Sequence, residues 1–93
     1  MMKWKTEYKK TFLKELHRLP ATIQQKIETI VFKELPETEN PYRLGYVEKM
    51  TGYSDKYKIR IGDYRIGITL DKKNYLIIVE RVANRKEIYR YFP

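Results

Sequence analysis

The stretch Tyr57-Lys58-Ile59-Arg60-Ile61-Gly62-Asp63-Tyr64-Arg65-Ile66-Gly67-Ile68 leaves the chain few ways to fold. Two alternating runs flank Gly62-Asp63, a pair that favours tight turns, so the stretch predicts a β-hairpin. With Gly62 and Asp63 as the two turn residues, Ile61 faces Tyr64, Arg60 faces Arg65 and Ile59 faces Ile66. Side chains alternate across a strand, so Tyr57, Ile59, Ile61, Tyr64, Ile66, Ile68 and Leu70 share one face, a core surface. Lys58, Arg60 and Arg65 share the other as a knot of positive charge. Like charges facing each other on neighbouring strands destabilise by about 0.2–1 kcal/mol. Either the long side chains splay over a solvated, salt-screened face, or the knot is a site for a polyanion, with Gly67 leaving open space beside it.

The charge balance bears on that choice. The chain of 93 residues carries 20 Lys and Arg against 12 Asp and Glu, a net charge of +8. The excess is uneven: eight basic against six acidic residues up to Pro41, then twelve against six from Tyr42 onward. A basic surface concentrated in the hairpin half points to nucleic acid or an acidic partner. The length suits one domain, 1–93, with one modest core. No cysteine is present, which removes disulfides, thiolate nucleophiles and zinc–thiolate sites and suits a reducing cytoplasm. No apolar run reaches membrane-spanning length and Met1-Met2-Lys3-Trp4 opens no signal-peptide pattern, so a cytoplasmic protein without a membrane partner is expected.

In chain order, Trp4-Lys5-Thr6 is a candidate short edge strand. Phe12, Leu13, Leu16 and Leu19 make a helical stripe. Pro20 suits the first position of a second helix, in which Ile23, Ile27, Ile30 and Val31 repeat the spacing to about Phe32. Helices so closely joined predict an antiparallel pair lying on the apolar face of the hairpin. Residues 36–40, closed by Pro41, form a polar loop, and Gly45-Tyr46-Val47 with Met50 suggests a packed irregular segment or a short strand. Asp71-Lys72-Lys73-Asn74 is a turn, and Tyr75–Val79, apolar on both sides, is a strand buried within the sheet. Arg81–Arg85 follows, then Lys86-Glu87-Ile88-Tyr89-Arg90 as a short helix. The fold class is α+β: an N-terminal helix pair packed on a small antiparallel β-sheet, with a short C-terminal helix.

Arg85 and Tyr89, four apart, share a face if that segment is helical, and the chain enters it from a strand beside the hairpin. A site gathering Lys58, Arg60, Arg65, Arg85 and Tyr89 follows. The sole histidine, His17, lies on the first helix, away from this site. The carboxylates show no metal-ligand spacing and no glycine-rich phosphate loop occurs, so neither metal nor cofactor is expected.

The hairpin motif, followed at a distance by Asn84-Arg85-Lys86-Glu87-Ile88-Tyr89-Arg90, closely resembles the RelE/ParE superfamily of toxins, and the helix pair with its Leu19-Pro20 junction extends the resemblance over nearly the whole chain. It implies a RelE-like toxin of a type II toxin–antitoxin system: a cytoplasmic, metal-independent endoribonuclease (mRNA interferase) that enters the ribosomal A site, cuts bound mRNA and so inhibits translation. A RelB-like antitoxin encoded beside it holds it inactive. The resemblance assigns catalytic or phosphate-binding roles to Lys58, Arg60, Arg65 and Arg85 and the catalytic tyrosine to Tyr89, with Lys49, Lys56, Lys86 and Arg90 as further RNA contacts. Arg60 stands where well-known RelE members carry lysine, and arginine is effectively never deprotonated, so its expected role is charge stabilisation. Lys58, set among arginines, is the candidate base, because neighbouring positive charge disfavours its charged form. Two other readings share this sequence pattern: a ParE-like toxin that binds DNA gyrase without cleaving anything, and a plain basic RNA-binding module.

Overall fold

The computed structural model describes residues 3–93. In chain order its elements are β1 (Lys5–Tyr8), α1 (Lys10–His17), α2 (Ala21–Glu28), a π-helical stretch (Thr29–Glu34), α3 (Leu35–Glu37), a 3-10 turn (Pro41–Arg43), β2 (Val47–Lys49), β3 (Lys56–Ile61), β4 (Tyr64–Asp71), β5 (Leu76–Asn84) and α4 (Ile88–Tyr91). The strands form one sheet in the order β1-β5-β4-β3-β2.

The hairpin has the register that its alternation dictates, with Ile61 opposite Tyr64, Arg60 opposite Arg65 and Ile59 opposite Ile66. Gly62 takes a φ of +54° while Asp63 does not enter the left-handed region; glycine at the first turn position alone is what a type II′ hairpin turn asks for. Ile59, Ile61, Ile66, Ile68 and Leu70 are all buried on one face. They meet Phe12 and Leu16 from α1 and Ile27, Val31 and Leu35 from the segments that follow. Leu13 departs from the expected stripe and is exposed; at about 100° per residue it lies a quarter-turn round from Phe12. Pro20 is the N-cap of α2 rather than its first residue.

The sheet is mixed. β1 runs parallel to β5, from Lys5 opposite Leu76 to Tyr8 opposite Val79, while the other pairs are antiparallel. Trp4 is buried just before β1, and the Tyr8 hydroxyl donates to the Val31 carbonyl at 2.5 Å. That carbonyl lies in the π-helical stretch. β5 extends to Asn84, well past the expected end at Val79. Its register slips between Gly67 and Ile68, so Val79 and Val82 both reach the core despite their odd spacing.

The opposite face of the sheet is not left to charge alone. Met50, Ile88 and Phe92 form a second buried apolar cluster there, joined by Ala83. The C-terminal helix is one turn, Ile88–Tyr91, so Arg85 lies outside it, in the preceding turn.

Candidate active site

Gly67 is flanked across the sheet by Lys58 on β3 and Arg81 on β5, and α4 lies over this row. A Cβ built on Gly67 would collide with the ring of Phe92. The expected open space beside Gly67 is therefore filled, because Phe92 needs a hydrophobic seat and only a residue without a side chain provides it here. On one side of Phe92, Lys58 Nζ donates to the Tyr89 hydroxyl at 2.5 Å. On the other, the Arg81 guanidinium lies 4.9 Å from the centre of the Tyr91 ring, within cation–π range. The single turn of α4 is thus pinned at three adjacent points.

The basic knot is less uniform than its residues suggest. Glu48, on β2, sits directly across from Lys58, and its carboxylate lies 3.5 Å from Arg60 Nη1. Sequence reasoning missed it, since β2 is only three residues long. Arg65 folds back on the hairpin turn, donating from Nη1 to the carbonyls of Gly62 (2.8 Å) and Tyr64 (2.9 Å). Arg85 is held near the same turn through its backbone N–H to the Asp63 carbonyl at 2.8 Å. Its exposed side chain has no hydrogen bond or ion pair among the described residues. Lys58 and Tyr89 meet, whereas Arg65 and Arg85 collect at the end of the hairpin.

The expected RNA contacts divide. Lys49 lines a cavity with Lys58 and Tyr89, and Lys86 and Arg90 are exposed. Lys56 is withdrawn from that set: its ammonium donates to Thr69 Oγ1 at 2.9 Å and lies 3.8 Å from both Asp55 and Glu80, while Thr69 donates in turn to Glu80. Half-buried and surrounded by acceptors, Lys56 serves the sheet.

Arg81, which sequence reasoning left without a role, is structural too. It donates to Glu15 from Nε at 3.0 and 3.2 Å and from Nη2 at 2.6 Å. Glu15 also accepts the backbone N–H of Val82 at 3.0 Å. β1 ends opposite Val79, so Val82 has no neighbouring strand on that side and the carboxylate replaces one. The bonds that Arg81 donates to Glu15 are the main cause holding its guanidinium pKa above its usual range.

A larger cavity, about 650 Å³, lies elsewhere, between Tyr42, Tyr57, Asp55 and Asp71. Its two carboxylates suit a polyanion poorly. The smaller one beside Lys58 and Tyr89 is the one the basic residues surround.

A family model described as the ParE toxin of the type II toxin–antitoxin system parDE matches residues 6–89. The chain belongs to the RelE/ParE family of type II toxins. It is 39% identical to Toxin RelE3 of Methanocaldococcus jannaschii over 90 residues, covering 96% of this chain and 99% of that protein. Among solved structures, the RelB–RelE antitoxin–toxin complex from Methanococcus jannaschii matches with a TM-score of 0.72 and 38% identity over 94% of this chain and 99% of that one. The RelBE2 toxin–antitoxin complex of Mycobacterium tuberculosis shares the fold at a TM-score of 0.72 and 22% identity, covering 91% of this chain and 94% of that one. In this toxin the hairpin lies within the sheet, with β4 as the central strand of the five. No helix among the described residues is long and apolar enough to cross a membrane.

Proposed function

We propose that this toxin is a metal-independent endoribonuclease that cuts mRNA in the ribosomal A site in the cytoplasm, with a RelB-like antitoxin as its inhibitor. The observation carrying this reading is the bond between Lys58 Nζ and the Tyr89 hydroxyl, 2.5 Å long, on an exposed basic face. RNA brings its own nucleophile: the 2′-oxygen attacks the adjacent phosphorus, the bond to the 5′-oxygen breaks, and a cyclic phosphate and a free 5′-hydroxyl result. The protein has to accept one proton, donate another and offset charge on the phosphorane.

The side chains present supply those three needs. Lys58, the base expected from the sequence, is engaged with Tyr89, and Glu48, directly across the strands from it, takes the proton of the 2′-hydroxyl instead. Lys58, already donating to the Tyr89 oxygen, leaves the phenolic O–H free to protonate the departing 5′-oxygen. Lys58 and Arg60 offer fixed positive charge to the scissile phosphate, and Arg85 with the remaining donors of Arg65, at the end of the hairpin, takes a neighbouring phosphate of the same strand. A ribosome holds the codon in reactive geometry, which lowers the demand on acid and base. The antitoxin part of the reading rests on the solved relatives, the first of which is a RelB–RelE complex.

The ParE description of the matching family model favours a second reading, a gyrase-directed toxin without nuclease activity. Primer extension on mRNA in a translating extract separates them. Purified toxin is expected to give cuts within codons that disappear when the product of the adjacent open reading frame is added. Intact mRNA together with gyrase inhibition would overturn the nuclease reading.

A further inference from the structure

We infer that Tyr53 is a substrate-binding residue: with Tyr89 it walls a slot for one nucleobase of the RNA, whose phosphates lie on Lys49 and Lys58. The inference rests on the endoribonuclease reading and adds to it a residue outside the basic row.

The slot is a cavity of about 320 Å³ lined by Lys49, Met50, Tyr53, Lys58, Tyr89 and Phe92, among others. That volume is at the small end of ligand sites, roughly 300–1,000 Å³. Tyr53 is 46% and Tyr89 57% exposed, and large aromatic surfaces left in water beside lysines are what single-stranded nucleic acid stacks on. The Lys58 ammonium does not block Tyr89. It lies 2.5 Å from the hydroxyl oxygen but 5.1 Å from the ring centre, so it occupies the hydroxyl end of the ring and leaves the face uncovered.

Both tyrosines are carried by the same small core. Met50 starts the turn bearing Tyr53, and the Tyr53 N–H donates to the Met50 carbonyl at 3.3 Å. Gly52, with a φ of +88°, allows the chain to reverse between them. The base of the turn is closed by the Met50 N–H donating to the Lys56 carbonyl at 2.9 Å. Tyr89 lies between Ile88 and Phe92, and these two are buried against Met50. The two backbone segments that bear the rings are therefore held on one packed core before any RNA arrives, which lowers the cost of ordering them on binding.

The test uses the whole toxin, as wild type, Tyr53→Ala and Tyr53→Trp. Each is titrated into a short 2′-O-methyl oligoribonucleotide carrying one 2-aminopurine, a probe that cannot be cut and reports base stacking by fluorescence. Each is also assayed by primer extension on programmed ribosomes. The Ala variant is expected to bind about ten-fold more weakly with less quenching, to cut more slowly and to lose codon preference, and the Trp variant to restore both readouts. An Ala variant that binds and quenches like wild type, or a Trp variant that restores nothing, overturns the slot. Wild type that quenches in a Tyr53-dependent way yet cuts no mRNA upholds the slot and removes the nuclease reading. Cutting at the same codons and rate by wild type and Tyr53→Ala does the reverse.

Discussion

The ring of Phe92 occupies the position that a side chain at Gly67 would need. This contact joins the central strand to the last turn of the chain, and that turn carries Tyr89. Gly67→Ala is expected to push Phe92 off the sheet, costing about 1–3 kcal/mol as overpacking does and lowering cleavage by displacing Tyr89. Thermal melts of Gly67→Ala, Phe92→Ala and the double variant check it. Because the two residues touch, the double variant should lose less than the summed single losses.

The acid–base assignment makes opposite demands on ring and hydroxyl. Tyr89→Phe keeps the ring and removes the O–H that Lys58 positions. Cleavage on programmed ribosomes should fall by roughly 10²-fold or more, the range for a positioned proton donor, with only a small change in melting temperature because the bond lost is exposed. A fully active Phe variant would reduce Tyr89 to a stacking surface.

Glu48→Gln tests the proton acceptor. The amide keeps the shape of the carboxylate and its place opposite Lys58 but takes up a proton poorly. Single-turnover cleavage should drop by about 10²-fold while binding to ribosomes is retained or strengthened, since the site gains net positive charge. The exposed Arg60–Glu48 pair contributes little to stability, so a large loss in the melt would identify Glu48 as structural.

Glu15 and Arg81 are a stability prediction with no direct link to chemistry. Glu15→Ala leaves the half-buried Arg81 guanidinium and the Val82 N–H without their acceptor. A loss of about 1.5–3 kcal/mol is expected from hydrogen bonds to a charged group. For a domain of this size each kcal/mol lowers the melting temperature by about 4–8 °C. Arg85→Ala, whose side chain has no such partners, should melt like wild type.

Acid should unpick one turn. Asn74 donates to Asp71 through its side-chain amide at 2.8 Å and its backbone N–H at 3.1 Å, and these bonds hold the Asp71 carboxyl below its usual range. A depressed carboxyl contributes stability that is present above its unfolded value and lost as pH falls through the folded one. Asn74→Ala should therefore melt below wild type at neutral pH, with the gap narrowing as pH falls below the ordinary carboxylate range and through the depressed folded value. A gap that stays constant with pH would show that the turn gains nothing from this charge.

Much of the toxin was legible in the order of its residues. The alternation from Tyr57 to Ile68 and the glycine between the strands set the hairpin register, because period two and a tight turn are local properties of the backbone. The spacing of Phe12, Leu16, Ile27 and Val31 likewise picks out the faces that bury. Periodicity says which way a side chain points, and it is silent on what lies opposite. Glu48 meets Arg60, Lys58 meets Tyr89 across 31 positions, and Arg81 meets Glu15 across 66; each partner comes from a distant segment brought in by sheet order. Two of these partners also sit in very short elements: Glu48 on β2, of three residues, and Tyr89 on α4, of four, too few for a pattern to repeat. Whether Lys56 was free for RNA or held by Thr69 and Glu80, and whether Gly67 was open or covered, depended on contacts between strands and on the packing of one apolar ring, and tertiary structure alone decided them.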